Sequence, residues 1–404
     1  MPTRVRLQAT GHTENQTAGN YEFKELRVSS NAVVNMYDTP SLSSRTSLVF
    51  SDTSRLLFTI SNQANGVEPV VSAKTIVFDG TSRMQWGGRI TVTAIDELRL
   101  ASGVQFIAQG GGYSVGGVLP GCPTDGTYGV GGSYGGYGGR SSHYTTTTVP
   151  CGSFMWPHER GAGGWTWSGN AKGGNGGGSI AFIANATIDT VLHIDGTVQV
   201  SGNAGVNGGN QGSGGGGAGG GVVVAARYLR GAGAIVANGG NGGTSGGYSY
   251  RGGGGSGGRI AFHVDVSEWA GNAQACGGYY GTSSSGVFGH GSPGTVYWAV
   301  GKDKALRTRT MYVDNCGTVG ASAHLTEGLD LYTFELVHLS GGGELSVVRM
   351  LVGRLCCSVV VVVPMFAGTV VDICSACLHG YVVHPTPTPR RSPMTGREHE
   401  RYSR

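Results

Sequence analysis

The chain has 404 residues, 77 of them Gly, and only 13% are charged against the ~25% of an ordinary globular protein. The net charge is +4, and much of the positive excess sits in the last fifteen residues (Arg390, Arg391, Arg397, Arg401, Arg404). No basic field spreads over the body and no aromatic-basic interleaving of the single-strand-binding kind occurs, so no nucleic-acid partner is expected. So much Gly suits either low-complexity disorder or turns between strands. Apolar segments recurring between the Gly tracts favour the turns.

The N-terminus has no apolar run of the signal-peptide kind, yet sequons at Asn15 and Asn185 are compatible with secretion. If the protein is extracellular, the chain is expected to be an internal fragment or an incomplete gene model. Residues 1–75 carry strand-like runs such as Leu56-Leu57-Phe58-Thr59-Ile60. They read as an irregular first turn that caps a repeat array.

The repeat itself covers residues 76–317. Apolar strands open at Gly88-Arg89-Ile90, Gly178-Ser179-Ile180, Gly221-Val222-Val223, Gly258-Arg259-Ile260 and Gly294-Thr295-Val296, the last four at roughly forty-residue intervals. A second strand follows each, aligned from Leu98, Leu192, Leu229, Trp269 and Leu306. Six residues further on stand Val104, Val198, Ile235, Ala275 and Tyr312. Alternation such as Val198-Gln199-Val200 marks half-buried strands. No such unit buries its apolar face alone, so neighbours must stack. The expected fold is all-β, a right-handed parallel β-helix with long Gly-rich loops. Asn at the corners, as in Asn203 and Asn238, suits left-handed backbone and bonding to the next turn.

Residues 110–178 form one long insertion, rich in Gly, Tyr and Thr, with GGSYGGYGG at 131–139. Loops this long are functional or disordered. Cys122 and Cys151 lie inside it and are the candidate disulfide. Residues 318–354 read as terminal strands. In 355–404 an apolar segment precedes a basic, Pro-rich tail that is expected to be unstructured. The stretch 355–371 is about the ~17 residues at which membrane spans begin. Three readings stand for it: a transmembrane helix, buried strands, or translated non-coding sequence. A membrane is a partner only through this segment.

Constellations that carry chemistry are sparse. Asp96, Asp189 and Asp265 (with Asp303) precede the second strands and would line one corner. A stacked Asp corner either binds Ca²⁺ through hard oxygen ligands or is a row of solvated turn residues. A glycosidase needs two carboxylates at a defined separation, and no Asp-Asp or Asp-x-Asp pair suggests one. His158 beside Glu159 sits in the insertion, and His193 and His263 alternate with apolar neighbours and should face outward. Cys374-Ser375-Ala376-Cys377, with Cys356-Cys357, mimics a zinc half-site at non-standard spacing. The Gly tracts lack the Gly-Lys-Ser/Thr of a phosphate loop, and Thr91-Val92-Thr93 occurs once only, too little for an ice-binding array. No catalytic residue and no cofactor other than Ca²⁺ is expected. Tyr134, Tyr137, Tyr144, Trp165 and Trp167 cluster in the insertion. They form either a recognition surface or pegs that pin the loop to the body.

Residues 253–262 (GGGSGGRIAF) and 237–243 (ANGGNGG) resemble the Gly-rich turns of large extracellular β-helix proteins. The broader likeness, over about residues 76–317, is to the pectin-lyase-like superfamily. It implies secretion, an extended shape, and adhesive or matrix roles toward carbohydrate or surface protein. The lack of a signal peptide and the C-terminal segment depart from it. The reading is a non-catalytic structural or adhesive module, extracellular or at the cell surface. The alternative is a carbohydrate-active enzyme, a polysaccharide lyase or glycoside hydrolase, on the same fold.

Overall fold

The computed structural model describes residues 5–8, 13–16, 19–60, 68–120, 122, 128–141, 149–167, 171–184, 190–208, 212–244, 251–281, 289–319, 322–325, 334–347, 359–361 and 370–371. The regular elements among them are all β-strands. A long sheet runs β1 (Val5–Gln8), β3 (Asn20–Ser29), β5 (Ser41–Phe50), β7 (Val70–Phe78), β9 (Arg89–Leu100), β11 (Ser179–Ala184), β14 (Gly221–Gly231), β16 (Arg259–Trp269), β18 (Thr295–Val300), β19 (Thr308–Asp314), β21 (Leu336–Ser340) and β24 (Val370–Val371). Strand β12 (Val191–Ile194) also lies between β9 and β14, so β11 and β12 together match one long strand.

A second sheet takes the short strands that alternate with these along the chain: β2 (Thr13–Gln16), β4 (Val33–Tyr37), β6 (Arg55–Thr59), β8 (Arg83–Trp86), β10 (Gln105–Ile107), β13 (Thr197–Gln199), β15 (Ala234–Val236) and β17 (Asn272–Gln274). It is parallel throughout, as is the long sheet from β1 to β18. Inward residues of both sheets enclose one core. Phe50 stacks on Phe78 at 4.6 Å between ring centroids, and Phe78 meets Phe106 edge-to-face at 4.7 Å; all three are fully buried. Aromatic pairs of both kinds stabilise beyond the area they bury.

The five opening strands stand in register, Ile90 beside Ile180, Val222, Ile260 and Val296. The second half corrects the expected alignment. Leu98, Leu192 and Leu229 are in register, but the next partner is Ser267, and Trp269 pairs with Gly231. Phe106, not Val104, stands beside Val198 and Ile235, followed by Ala273 rather than Ala275. The uniform offset fails because corner length varies: 101–104 is a four-residue turn, whereas 195–196 is a two-residue one. Leu306, 81% exposed, lies in a turn, and Tyr312 lies on β19, antiparallel to β18. Nor is the N-terminal segment one irregular cap. Strands β3, β5 and β7 continue the long sheet with shorter circuits, in which register partners such as Leu26 and Leu48, Leu48 and Ile76, and Ile76 and Leu98 follow one another.

The Gly tracts are not simple turns. They run out from the sheets and back as extended segments that pack against each other. Along 214–220 the backbone donors rotate through three neighbours. Gly214 and Gly217 donate to Val206 and Asn203, Gly215 and Ala218 to Trp165 and Ala162, Gly216 and Gly219 to Gly253 and Ser256. Carbonyls of the same segment accept from Gly174 and Gly177, from Gly240 and Gly243, and from Gly132. One segment is therefore bonded to six others, with a period of three. Three residues per turn without internal hydrogen bonds is the polyproline II geometry. Here the backbone groups are satisfied by neighbouring segments, as burial requires. Glycine is needed for space: a Cβ on Gly216 would fall onto the Gly240 carbonyl, and one on Gly255 onto that of Gly217. The insertion belongs to this bundle through 129–141, 160–167 and 171–178.

Asn side chains serve the same packing. Asn238, Asn241 and Asn207 accept the N–H groups of Cys276, Tyr279 and Thr244 at 2.8, 2.9 and 2.8 Å. Left-handed backbone appears instead at other corners, including Asn31, Asp52, Gly80, Gly103, Gly231 and Cys316. Beyond β18 a third sheet of β20 (Ala323–Leu325), β22 (Leu345–Val347) and β23 (Val359–Val361) forms. Leu325 and Leu345 bury against Met311, Val313 and Phe154. Of the stretch 355–371, only β23 and β24 lie among the described residues, each antiparallel to its neighbour. The remainder, Cys356, Cys357, Cys374, Cys377 and the basic tail lie outside them. Among the described residues no helix is long and apolar enough to cross a membrane.

Candidate functional site

The aromatic residues of the insertion separate by depth. Tyr134 is a buried peg with no exposed surface, which corrects its reading as a contact residue. The Arg259 guanidinium lies 5.6 Å over its ring and donates to its carbonyl at 3.3 Å, and its N–H donates to Ser256 Oγ at 2.9 Å. Burial pushes its hydroxyl well above the usual phenol range. Tyr137 is half-buried, its hydroxyl also raised by burial, and its carbonyl accepts Ser292 N–H. Trp165 is half-buried, with its ring against Gly116. Trp167 lies at the bundle end, its ring 6.3 Å from that of Tyr128. Tyr144 lies outside the described residues. Cys122 and Cys151 form a disulfide with Cα atoms 6.2 Å apart, and Cys276–Cys316 forms another at 5.9 Å.

Hydrogen-bond register places several segment ends level with one another. Gly214 donates to Val206, Gly243 to Gly214, Gly252 to Gly243, Gly242 to Tyr279, and Gly253 to Gly129. One end of the bundle thus presents Tyr128 and Tyr279, about half exposed at 54% and 51%, with Val206, Trp167, Arg140 and Lys172. Val206, Lys172, Trp167 and Tyr279 stand on backbone that is hydrogen-bonded to neighbouring segments. Sequence reasoning found Trp167 here but not Tyr279, which stands outside the insertion.

The Asp row is not assembled. Asp96 is exposed on β9, and Asp189 lies outside the described residues. Asp265 sits between Arg307, 3.3 Å away, and Arg227, at 4.0 Å. Its charge is already answered, so it offers no open oxygen set for Ca²⁺. Arg227, which interrupts the acidic row in the sequence, is one of its partners. Among the described residues no group of three or more His, Cys, Asp or Glu side chains could hold a metal ion.

His158 and Glu159 do not act together. Glu159 pairs with Arg89, which also holds Glu68 at 2.7 Å, while His158 Nε2 meets the Ile90 carbonyl at 3.3 Å. These contacts pin the insertion to β9. His193 pairs with Asp195 at 2.9 Å at the surface. His263 does point out of the sheet, but the insertion covers it, with Nε2 at the Met155 carbonyl and the Trp156 ring 5.2 Å away. Burial holds both His158 and His263 below the ordinary imidazole value.

A groove that the sequence did not announce lies where the short sheet stops. Among the described residues strand β17 is its last member, whereas the long sheet continues through β18, β19 and β21. The side of these strands that faced the core therefore opens. The cavity, about 420 Å³, is lined by Trp269, Trp298, Tyr312 and His338 with Asn272, Gln274, Asp314 and Ser340. Trp298 stacks on Phe262 at 3.8 Å, and the Tyr312 and His338 rings are 5.6 Å apart. The Cys276–Cys316 disulfide ties one wall to the end of β19, and Asp314 accepts Cys316 N–H at 2.7 Å. Among the described lining residues Asp314 is the single carboxylate. The signal in the sequence was the change of inward residues from Phe262 and Val296 to Tyr312, Asp314 and His338. No family model matches the chain, and no curated protein or solved structure is significantly similar to it.

Proposed function

We propose that this protein is a non-catalytic structural or adhesive module of the extracellular space or cell surface. Its fold, in this reading, is a right-handed parallel β-helix of the pectin-lyase-like kind, with the Gly segments as a bundle along one side. Strand alternation between two parallel sheets supports that architecture. Two disulfides suit an oxidising setting.

The observation that carries the functional reading is the bundle end, where Tyr128, Trp167, Val206 and Tyr279 are presented by a hydrogen-bonded frame. Tyr and Trp supply contact area at low conformational cost, and a pre-ordered backbone lowers what binding must spend on ordering. The partner is a glycan or a matrix protein. The groove aromatics favour the second reading, a carbohydrate-active enzyme. It needs two carboxylates; among the described lining residues Asp314 is one, and Glu68 and Glu159 are both tied to Arg89.

The full chain, immobilised and screened against a panel of polysaccharides and matrix proteins, should retain at least one of them, and Tyr128→Ser with Tyr279→Ser should weaken that retention. Product release from any polysaccharide would overturn the non-catalytic reading.

A further inference from the structure

We infer that the groove beside β17 is a binding site for neutral oligosaccharides. It is a different surface from the bundle end, so either site can fail alone.

The inward row of the long sheet changes character where the short sheet ends. Up to β18 that row is apolar: Ile260, Phe262 and Val264, then Val296 and Trp298. On β19 and β21 it becomes Thr310, Tyr312 and Asp314, then Leu336, His338 and Ser340, their register partners in that order. A face meant for continued burial would keep the apolar residues, because buried polar groups without partners are costly. This one mixes flat rings with hydrogen-bonding groups, the composition of a small-ligand site. Its volume, about 420 Å³, falls within the ~300–1,000 Å³ of such sites.

Sugar rings match both halves of that lining. Their C–H faces lie against aromatic rings, and their hydroxyls both donate and accept. Tyr312 is 40% exposed, and Trp298, backed on one face by Phe262, is held rigid. Asn272 on the rim offers an amide donor and acceptor, Gln274 is held in place by Asn238 Nδ2 at 2.8 Å and by its own bond to Cys316 Sγ at 3.1 Å, and Asp314 and Ser340 add further polar groups. Charge selects the class. Among the described lining residues there is no Lys or Arg, and Asp314 is an anion. Uronate or sulfated sugars would therefore meet repulsion without a counter-charge.

Trp269 and Trp298 make the site self-reporting. The full chain is titrated with cellohexaose, maltohexaose and mannohexaose while Trp fluorescence is followed, with a galacturonate hexamer as the charged counterpart. At least one neutral hexamer should give a saturable change, and the uronate should bind at least about tenfold more weakly. Tyr312→Ala should weaken the neutral sugar about tenfold or more, whereas Tyr312→Phe should stay within about threefold. Gln274→Ala provides the same readout if Tyr312→Ala does not fold. The inference is overturned if no neutral hexamer gives a saturable signal with the folded chain, if the uronate binds as tightly, or if the folded variants bind like the parent.

Discussion

Gly216→Ala and Gly255→Ala separate a packed glycine bundle from a set of loops by the sign of one measurement. In a loop, Gly→Ala at a position with ordinary φ stabilises by about 0.4–1 kcal/mol, because the unfolded chain loses freedom. In the bundle, the new Cβ of residue 216 falls onto the Gly240 carbonyl, and that of residue 255 onto the Gly217 carbonyl. Neither obstacle is the end of a flexible side chain, so a segment must move. Overpacking of this kind costs about 1–3 kcal/mol. The shift also stretches the Gly216 N–H bond to Gly253 and the Gly132 N–H bond to Gly216, 2.9 and 2.8 Å, each worth about 1 kcal/mol. A loss of about 3–5 kcal/mol per substitution is expected, a large share of a typical ~5–15 kcal/mol stability. Urea unfolding followed by circular dichroism measures it, with exposed Ala204→Ser as the control, expected within about 0.5 kcal/mol of the parent. Amide exchange should also accelerate in 214–220 and its neighbours. If both Gly→Ala variants are as stable as the parent or more so, the bundle argument is wrong.

Three further outcomes are expected. Replacing Cys122 and Cys151 by Ser opens a loop with a sequence separation of 29 and should lower stability by about 3–4 kcal/mol, read as a drop in the urea midpoint. Because burial depresses His158 and His263 in the folded state, the unfolded chain takes up more protons. Stability is then fully present above the ordinary imidazole value near ~6.5 and falls as pH drops through and below it; a melting temperature that rises between pH 7.5 and 5.5 would contradict this. Asp265→Asn removes the carboxylate that Arg307 and Arg227 share and should cost about 1–3 kcal/mol, while millimolar Ca²⁺ should leave the parent melting temperature unchanged, as a thermal-shift assay would report.

What was legible in the sequence is local and periodic. The opening strands at Ile90, Ile180, Val222, Ile260 and Val296 could be aligned because their alternation and preceding Gly are written in adjacent residues, and the all-β parallel arrangement followed from their recurrence. The second strands were less legible. The corner before Phe106 is two residues longer than the one before Val198, and no apolar pattern records corner length. The N-terminal circuits of β3, β5 and β7 escaped because their Ser- and Thr-rich strands and shorter spacing hide the same inward row. Tertiary structure alone decided the roles of the Gly tracts, Tyr134 and the groove. A glycine has no side chain to show a pattern; its meaning lies in the neighbouring carbonyl that occupies the place of its Cβ, and that carbonyl belongs to a distant segment. Tyr134 looks like an exposed loop aromatic until Arg259 closes over it. The groove exists because one sheet stops while the other continues, a difference of length between two surfaces that meet only when the chain is folded.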